Sequence, residues 1–131
     1  MKDFIGVPFK LLGRDFDGVD CWGLVYLVFK EKLGIELPNY TNLCYSMGWY
    51  KKNKDMIVDE IKKSVFEVVE KPYKKYDIFI LYNGTEKIAN HVSLYLNDDK
   101  MLHISEGSTS MISRFNGYWE SKLYKTVRYN K

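Results

Sequence analysis

The chain has 131 residues, of which 46% are apolar and 16% aromatic, and a formal net charge of +3. That length fits one domain spanning 1–131, and the apolar content excludes a disordered protein. Charges of both signs are interspersed without a basic stripe, which argues against a nucleic-acid partner, and two cysteines exclude both a disulfide scaffold and a four-cysteine zinc site.

The first residues, Met1-Lys2-Asp3-Phe4-Ile5-Gly6, lack a basic region followed by an apolar stretch, so no signal peptide is expected and synthesis in the cytosol is. The longest nearly apolar run, 21–29, falls well short of the ~20 residues that span a bilayer, so no membrane insertion is expected. Asp15-Phe16-Asp17-Gly18 reads as a turn. Asp20 is a good N-cap for a helix running to about residue 33, with Gly34 just past its end. Residues 21–29 are apolar almost all round, which makes this helix central rather than amphipathic. Ile57, Ile61 and Val65 recur at helical spacing and predict a helix over about 54–64.

The period then changes to two. Phe66, Val68 and Val69 suggest a short strand before Pro72, and 77–82 a strand stopped by Asn83-Gly84. Two linked strands follow, about 91–96 and 101–105, and segments 111–115 and 124–129 complete a sheet. Helices first and antiparallel strands afterwards predict an α+β fold.

The hairpin carries both histidines of the chain. Val92, Leu94 and Leu96 alternate with His91, Ser93 and Tyr95; Leu102 and Ile104 alternate with Met101, His103 and Ser105. If the aliphatic sets share one core, register forces an odd-length loop or a bulge. His91 then lies opposite Ser105, with His103 its diagonal neighbour on the other face.

Cys21 follows the Asp20 cap and so occupies the first turn of the helix. Free N–H groups and the positive end of the helix dipole lower a thiol pKa there, and a nearby imidazole lowers it further. The same N–H groups, that of Cys21 included, can receive an oxyanion. Gly23 is costly inside a helix and makes sense if something approaches the helix start closely. Cys44 has no cap and no histidine pattern beside it and reads as a small buried hydrophobe; a Cys21–Cys44 disulfide is not expected in a chain made in the cytosol. Thiol catalysis needs a nucleophile, a base and a group that orients the base. Cys21, His91 and His103 fill those roles in that order.

These residues resemble a known pattern. Asp20-Cys21-Trp22-Gly23-Leu24-Val25 is similar to the D-C-S-G-L-V signature of NlpC-type cell-wall peptidases, which are papain-like cysteine enzymes. Gly6-Val7-Pro8-Phe9 and Gly13 resemble the approach to that signature. Tyr76-Asp77-Ile78-Phe79 resembles the family's G-D strand, and His91-Val-Ser-Leu-Tyr-Leu96 its H-V-G-I-Y-L strand. Met101-Leu102-His103 resembles the strand bringing the third catalytic residue.

The resemblance implies a papain-like fold, with the cysteine helix packed on the histidine-bearing sheet. It implies hydrolysis of peptide bonds in peptidoglycan stem peptides, commonly after side-chain-linked D-glutamate, by catalytic Cys21, His91 and His103 and with no cofactor. Asp20 and Trp22 are expected at the substrate-binding part of the site, together with Ser93 on the His91 face. Trp22 stands where the family usually has Ser, and Phe9 where Tyr is common. The bare catalytic domain resembles versions carried on phage or prophage tails, which makes tail proteins candidate partners and the bacterial cell wall, reached as part of a virion or tail-like particle, the expected place of action.

Rival readings are a zinc site on Cys21, His91 and His103, a CHAP-like amidase, and a non-catalytic tail-assembly protein on the same fold. An EF-hand at Asp15 fails, because its twelfth position is Tyr26 rather than Glu. Trp22, Tyr45, Trp49 and Tyr50 are candidates to line a groove, although most aromatics are expected in the core.

Overall fold

A computed structural model describes residues 1–38, 66–82 and 89–129. The expected helix over 54–64, Cys44, Tyr45, Trp49 and Tyr50 lie outside the described residues. After a 3-10 turn at Lys2–Phe4 come β1 (Arg14–Asp15) and β2 (Gly18–Val19), a short antiparallel pair that closes on the predicted turn.

Helix α1 (Cys21–Val28) follows. Asp20 caps it, its side chain accepting from the Gly23 N–H at 2.7 Å. The helical run continues over Phe29–Leu33, as predicted, but that last stretch is π-helical. Gly34 ends it at φ 65°, a conformation that costs glycine least. The Phe29 carbonyl accepts from the N–H groups of both Gly34 and Ile35, and that wide closure accompanies the extra residue per turn.

The strands are β3 (Phe66–Val69), β4 (Ile78–Tyr82), β5 (Ala89–Tyr95), β6 (Lys100–His103), β7 (Met111–Arg114) and β8 (Leu123–Tyr129). A short helix, α2 (Gly117–Ser121), sits between β7 and β8 and has no counterpart in the sequence expectations. Among the described residues the strands form one antiparallel sheet in the order β3-β8-β4-β5-β6-β7. The expected α+β architecture is present: α1 packs on β5, near the middle of the sheet.

The β5–β6 register is the expected one. Leu94 pairs with Leu102 and Tyr95 with Met101 across an odd-length connection. Asn97, Asp98 and Asp99 all take left-handed φ in that connection, which short polar side chains tolerate best. Val92, Leu94, Leu102 and Ile104 therefore share one core with Leu24, Val25 and Val28 of α1. The opposite face of the sheet is not open. Phe79, Leu81, Tyr95, Met101 and Phe115 form a second buried cluster there, edged by Tyr73, Trp119 and Leu123.

The N-terminal segment is tied to the loop after β6. Ser110 Oγ donates to the Phe4 carbonyl and accepts from the Val7 N–H, and the Gly6 N–H donates to the Ser110 carbonyl. Among the described residues no helix is long and apolar enough to cross a membrane.

Candidate active site

The approach to α1 is built around the Asp20 carboxylate, which is 1% exposed. Oδ1 accepts from the Gly23 N–H and pairs with Arg14 Nη1, each at 2.7 Å; Oδ2 accepts from the Leu12 N–H at 2.9 Å. Burial raises the Asp20 pKa, while Arg14 and the two N–H groups oppose that rise. Both oxygens are thus engaged in joining the β1–β2 segment to the helix start. The carbonyl of Gly13 explains Gly23: a Cβ at position 23 would overlap that oxygen.

Cys21 is a free thiol at the first residue of α1. The residue is partly buried against the main core, and the backbone N–H groups of Val92 and Trp22 lie near enough to its sulfur to favour the thiolate. Cys21 thus opens the helix that packs on β5, with Val92 nearby. The sequence expectation was a depressed thiol pKa. The structure shows the reverse: burial first, and the Asp20 carboxylate second, push Cys21 up to about 12. The two N–H groups and Arg14 pull it down by less. Desolvation of a thiolate outweighs the helix start here.

The two histidines come together as expected. Their ring centroids are 5.8 Å apart with the planes at 85°. His91 and His103 are almost fully buried, at 3% and 4% exposure. Burial first, and the neighbouring His103 second, lower the His91 pKa to about 3; burial alone lowers that of His103. At neutral pH both imidazoles are therefore uncharged. His103 Nε2 lies 2.8 Å from Ser113 Oγ on β7. Trp119 on α2 lies over both rings, nearly parallel to His91 at 5.8 Å and edge-on to His103 at 5.0 Å.

Two expectations for substrate binding are corrected. Trp22 is fully buried. Its indole N–H donates to the Pro38 carbonyl at 2.7 Å and its ring meets Phe66 edge-on, so it is a core residue with no face for a ligand. Ser93 does share the His91 face, but the second aromatic cluster seals that face. Ser93 is buried and its hydroxyl donates to the Met101 sulfur at 3.2 Å. Phe9 is partly buried against the main core.

Sequence reasoning missed Ser113 and Trp119. The alternation of 111–114 was visible, but its register against β6 depends on the irregular loop 104–110. Trp119 sits in a five-residue helix too short to show a period. Among the described residues, no three His, Cys, Asp or Glu side chains converge in a metal-holding arrangement, so the zinc set is not assembled.

The NlpC/P60 family model matches residues 6–128. The chain is 30% identical over 112 residues to the tail tip assembly protein K of Escherichia phage N15, a match covering 84% of this chain and 44% of that protein. It is 29% identical over 126 residues to the murein DD-endopeptidase MepS/murein LD-carboxypeptidase of Escherichia coli K12, covering 96% of this chain and 57% of that one. It spans about half the length of these curated relatives. The solved NlpC/p60 domain of the peptidoglycan hydrolase SagA superposes with a TM-score of 0.64 at 18% identity, covering 97% of this chain and 91% of that domain, which shows the shared papain-like fold.

Proposed function

Because the chain belongs to the NlpC/P60 family, we propose that it is a cysteine peptidase that hydrolyses peptide bonds within peptidoglycan stem peptides. The observation that carries this reading is the packing of α1, which Cys21 opens, on β5, whose His91 packs against His103.

Cys21 and His91 start uncharged, so the thiol proton leaves as the carbon–sulfur bond forms. Cys21 Sγ attacks the carbonyl carbon and His91 takes the proton as general base. The Asp20 cap engages Gly23, and the Cys21 N–H in the first turn serves as the oxyanion donor. Protonated His91 then gives its proton to the leaving amine, and water activated by neutral His91 releases the acyl group from sulfur. His103 holds the His91 ring. Asp20 shapes the site through the cap.

The family resemblance favours cleavage after side-chain-linked D-glutamate. The tail tip assembly relative favours work within a phage or prophage tail, with tail proteins as partners.

The test is wild type against Cys21→Ala on purified peptidoglycan fragments, with mass spectrometry of the products. New amino termini inside the stem, absent with Cys21→Ala, support the peptidase. Release of whole stems from the sugar supports the CHAP-like amidase. No product from wild type supports a non-catalytic role in tail assembly.

A further inference from the structure

His103 is held by contacts that the proposed mechanism does not use. Ser113 Oγ meets its Nε2 at 2.8 Å, diagonally across the β6–β7 ladder, where His103 itself pairs with Met111 and Ser113 with Met101. Trp119 covers the ring from α2. Two ring nitrogens remain buried without a hydrogen-bond partner, His91 Nε2 and His103 Nδ1. They belong to rings whose centroids are 5.8 Å apart, so a rotation of the rings together with a closure of roughly 0.5 Å would join them. A buried polar atom left without a partner costs about 1–3 kcal/mol.

Two orphan nitrogens satisfy each other only when one carries a proton and the other does not. That leaves two arrangements of the neutral pair. In one, His103 Nε2–H donates to Ser113 Oγ, His103 Nδ1 accepts from His91 Nε2–H, and His91 Nδ1 is bare. In the other, Ser113 donates to His103 Nε2, His103 Nδ1–H donates to His91 Nε2, and His91 carries its proton on Nδ1. Only the first leaves His91 a lone pair with which to take a thiol proton.

We propose that Ser113 is a positioning residue whose hydroxyl accepts from His103 Nε2–H and thereby fixes both histidines as Nε2–H tautomers. The choice between the two arrangements rests on the peptidase reading; its test does not. Trp119 supports it by keeping water from the two nitrogens, which have no exposed surface.

The chain has only two histidines, so long-range proton–nitrogen correlation spectra of the isotope-labelled protein resolve each ring. Both rings are expected as neutral Nε2–H tautomers near neutral pH. Ser113→Ala is expected to redistribute His103 between tautomers and to lower kcat for peptide release roughly tenfold or more at unchanged KM. Ser113→Thr, which keeps the hydroxyl, restores both. An Nδ1–H tautomer on either wild-type ring overturns the proposal, as does an unchanged tautomer or an unchanged kcat in Ser113→Ala. The tautomer spectra decide the matter without hydrolysis. A wild type that releases no peptide but shows the expected tautomers refutes the peptidase reading and leaves the Ser113 hydrogen bond assigned.

Discussion

The carbonyl oxygen of Gly13 occupies the space that a Cβ on Gly23 would need. The segment leading into α1 therefore lies directly against the helix start. The Arg14 guanidinium bridges the same place, bonding the Gly13 carbonyl and Asp20 Oδ1 at 2.7 Å each.

Helix propensity alone would make Gly23→Ala stabilising by about 1 kcal/mol. Overlap with a backbone oxygen reverses the sign, because neither the helix nor the Gly13 turn can yield cheaply. Gly23→Ala is expected to destabilise the fold by about 1–3 kcal/mol, read from denaturant midpoints at unchanged slope.

Asp20 acts on both stability and the thiol. Asp20→Ala removes the cap and leaves the largely buried Arg14 guanidinium without its carboxylate, and should cost about 3 kcal/mol. Asp20→Asn keeps the side-chain oxygen of the cap but removes the charge that helps raise the Cys21 pKa. The pH profile for alkylation of Cys21 should therefore move to lower pH in Asp20→Asn. A profile that stays in place would mean that burial alone sets the thiol.

Burial of neutral His91 makes stability depend on pH. Its pKa is about 3 in the folded chain, against an ordinary value of 6.5. Below about 6.5 the unfolded chain takes up a proton that the folded chain refuses, so stability present at neutral pH is lost as pH falls toward 3. The contribution of His91 between pH 7 and pH 5 should be a loss of about 2 kcal/mol. Denaturation at those two pH values, wild type against His91→Gln, isolates it: the variant should lose less stability by about that amount.

A second ion pair joins the residue before β4 to β8, away from the site. Arg128 Nε and Nη2 bond the two oxygens of buried Asp77 at 2.7 and 2.8 Å, and the Lys74 N–H donates to Asp77 Oδ2. Arg128→Met keeps the apolar stem but leaves a buried carboxylate with the Lys74 N–H as its remaining partner among these. The expected cost is about 2–3 kcal/mol by thermal or denaturant unfolding. Asp77→Asn in the Arg128→Met background should recover part of it, because the stranded charge is gone.

Local features of the site could be read from the chain alone. Asp20 before Cys21 marks a helix start because the cap bond is made within three residues. Gly34 marks the end for the same kind of reason. The histidine pairing was readable because a strand has a period of two, and one aliphatic face fixes the register of a short hairpin. Periodicity says which residues share a face, but not what lies on that face. Phe79, Tyr95 and Phe115 arrive from three separate strands or their edges to seal it, and they turn Ser93 from a candidate substrate contact into a buried one. Trp22 is core for a similar reason: its neighbours Pro38 and Phe66 are far along the chain.

The capped cysteine, the two histidines on one hairpin face, the α+β order and the family are all legible in short-range spacing along the chain. The electrostatics of the site come from packing between distant segments. A helix start favours a thiolate, yet desolvation and the Asp20 carboxylate push the Cys21 pKa up, and burial keeps His91 neutral. Packing also decides which side chains hold the imidazoles. Ser113 and Trp119 reach them from β7 and α2, and only the closed sheet brings those elements to the histidines.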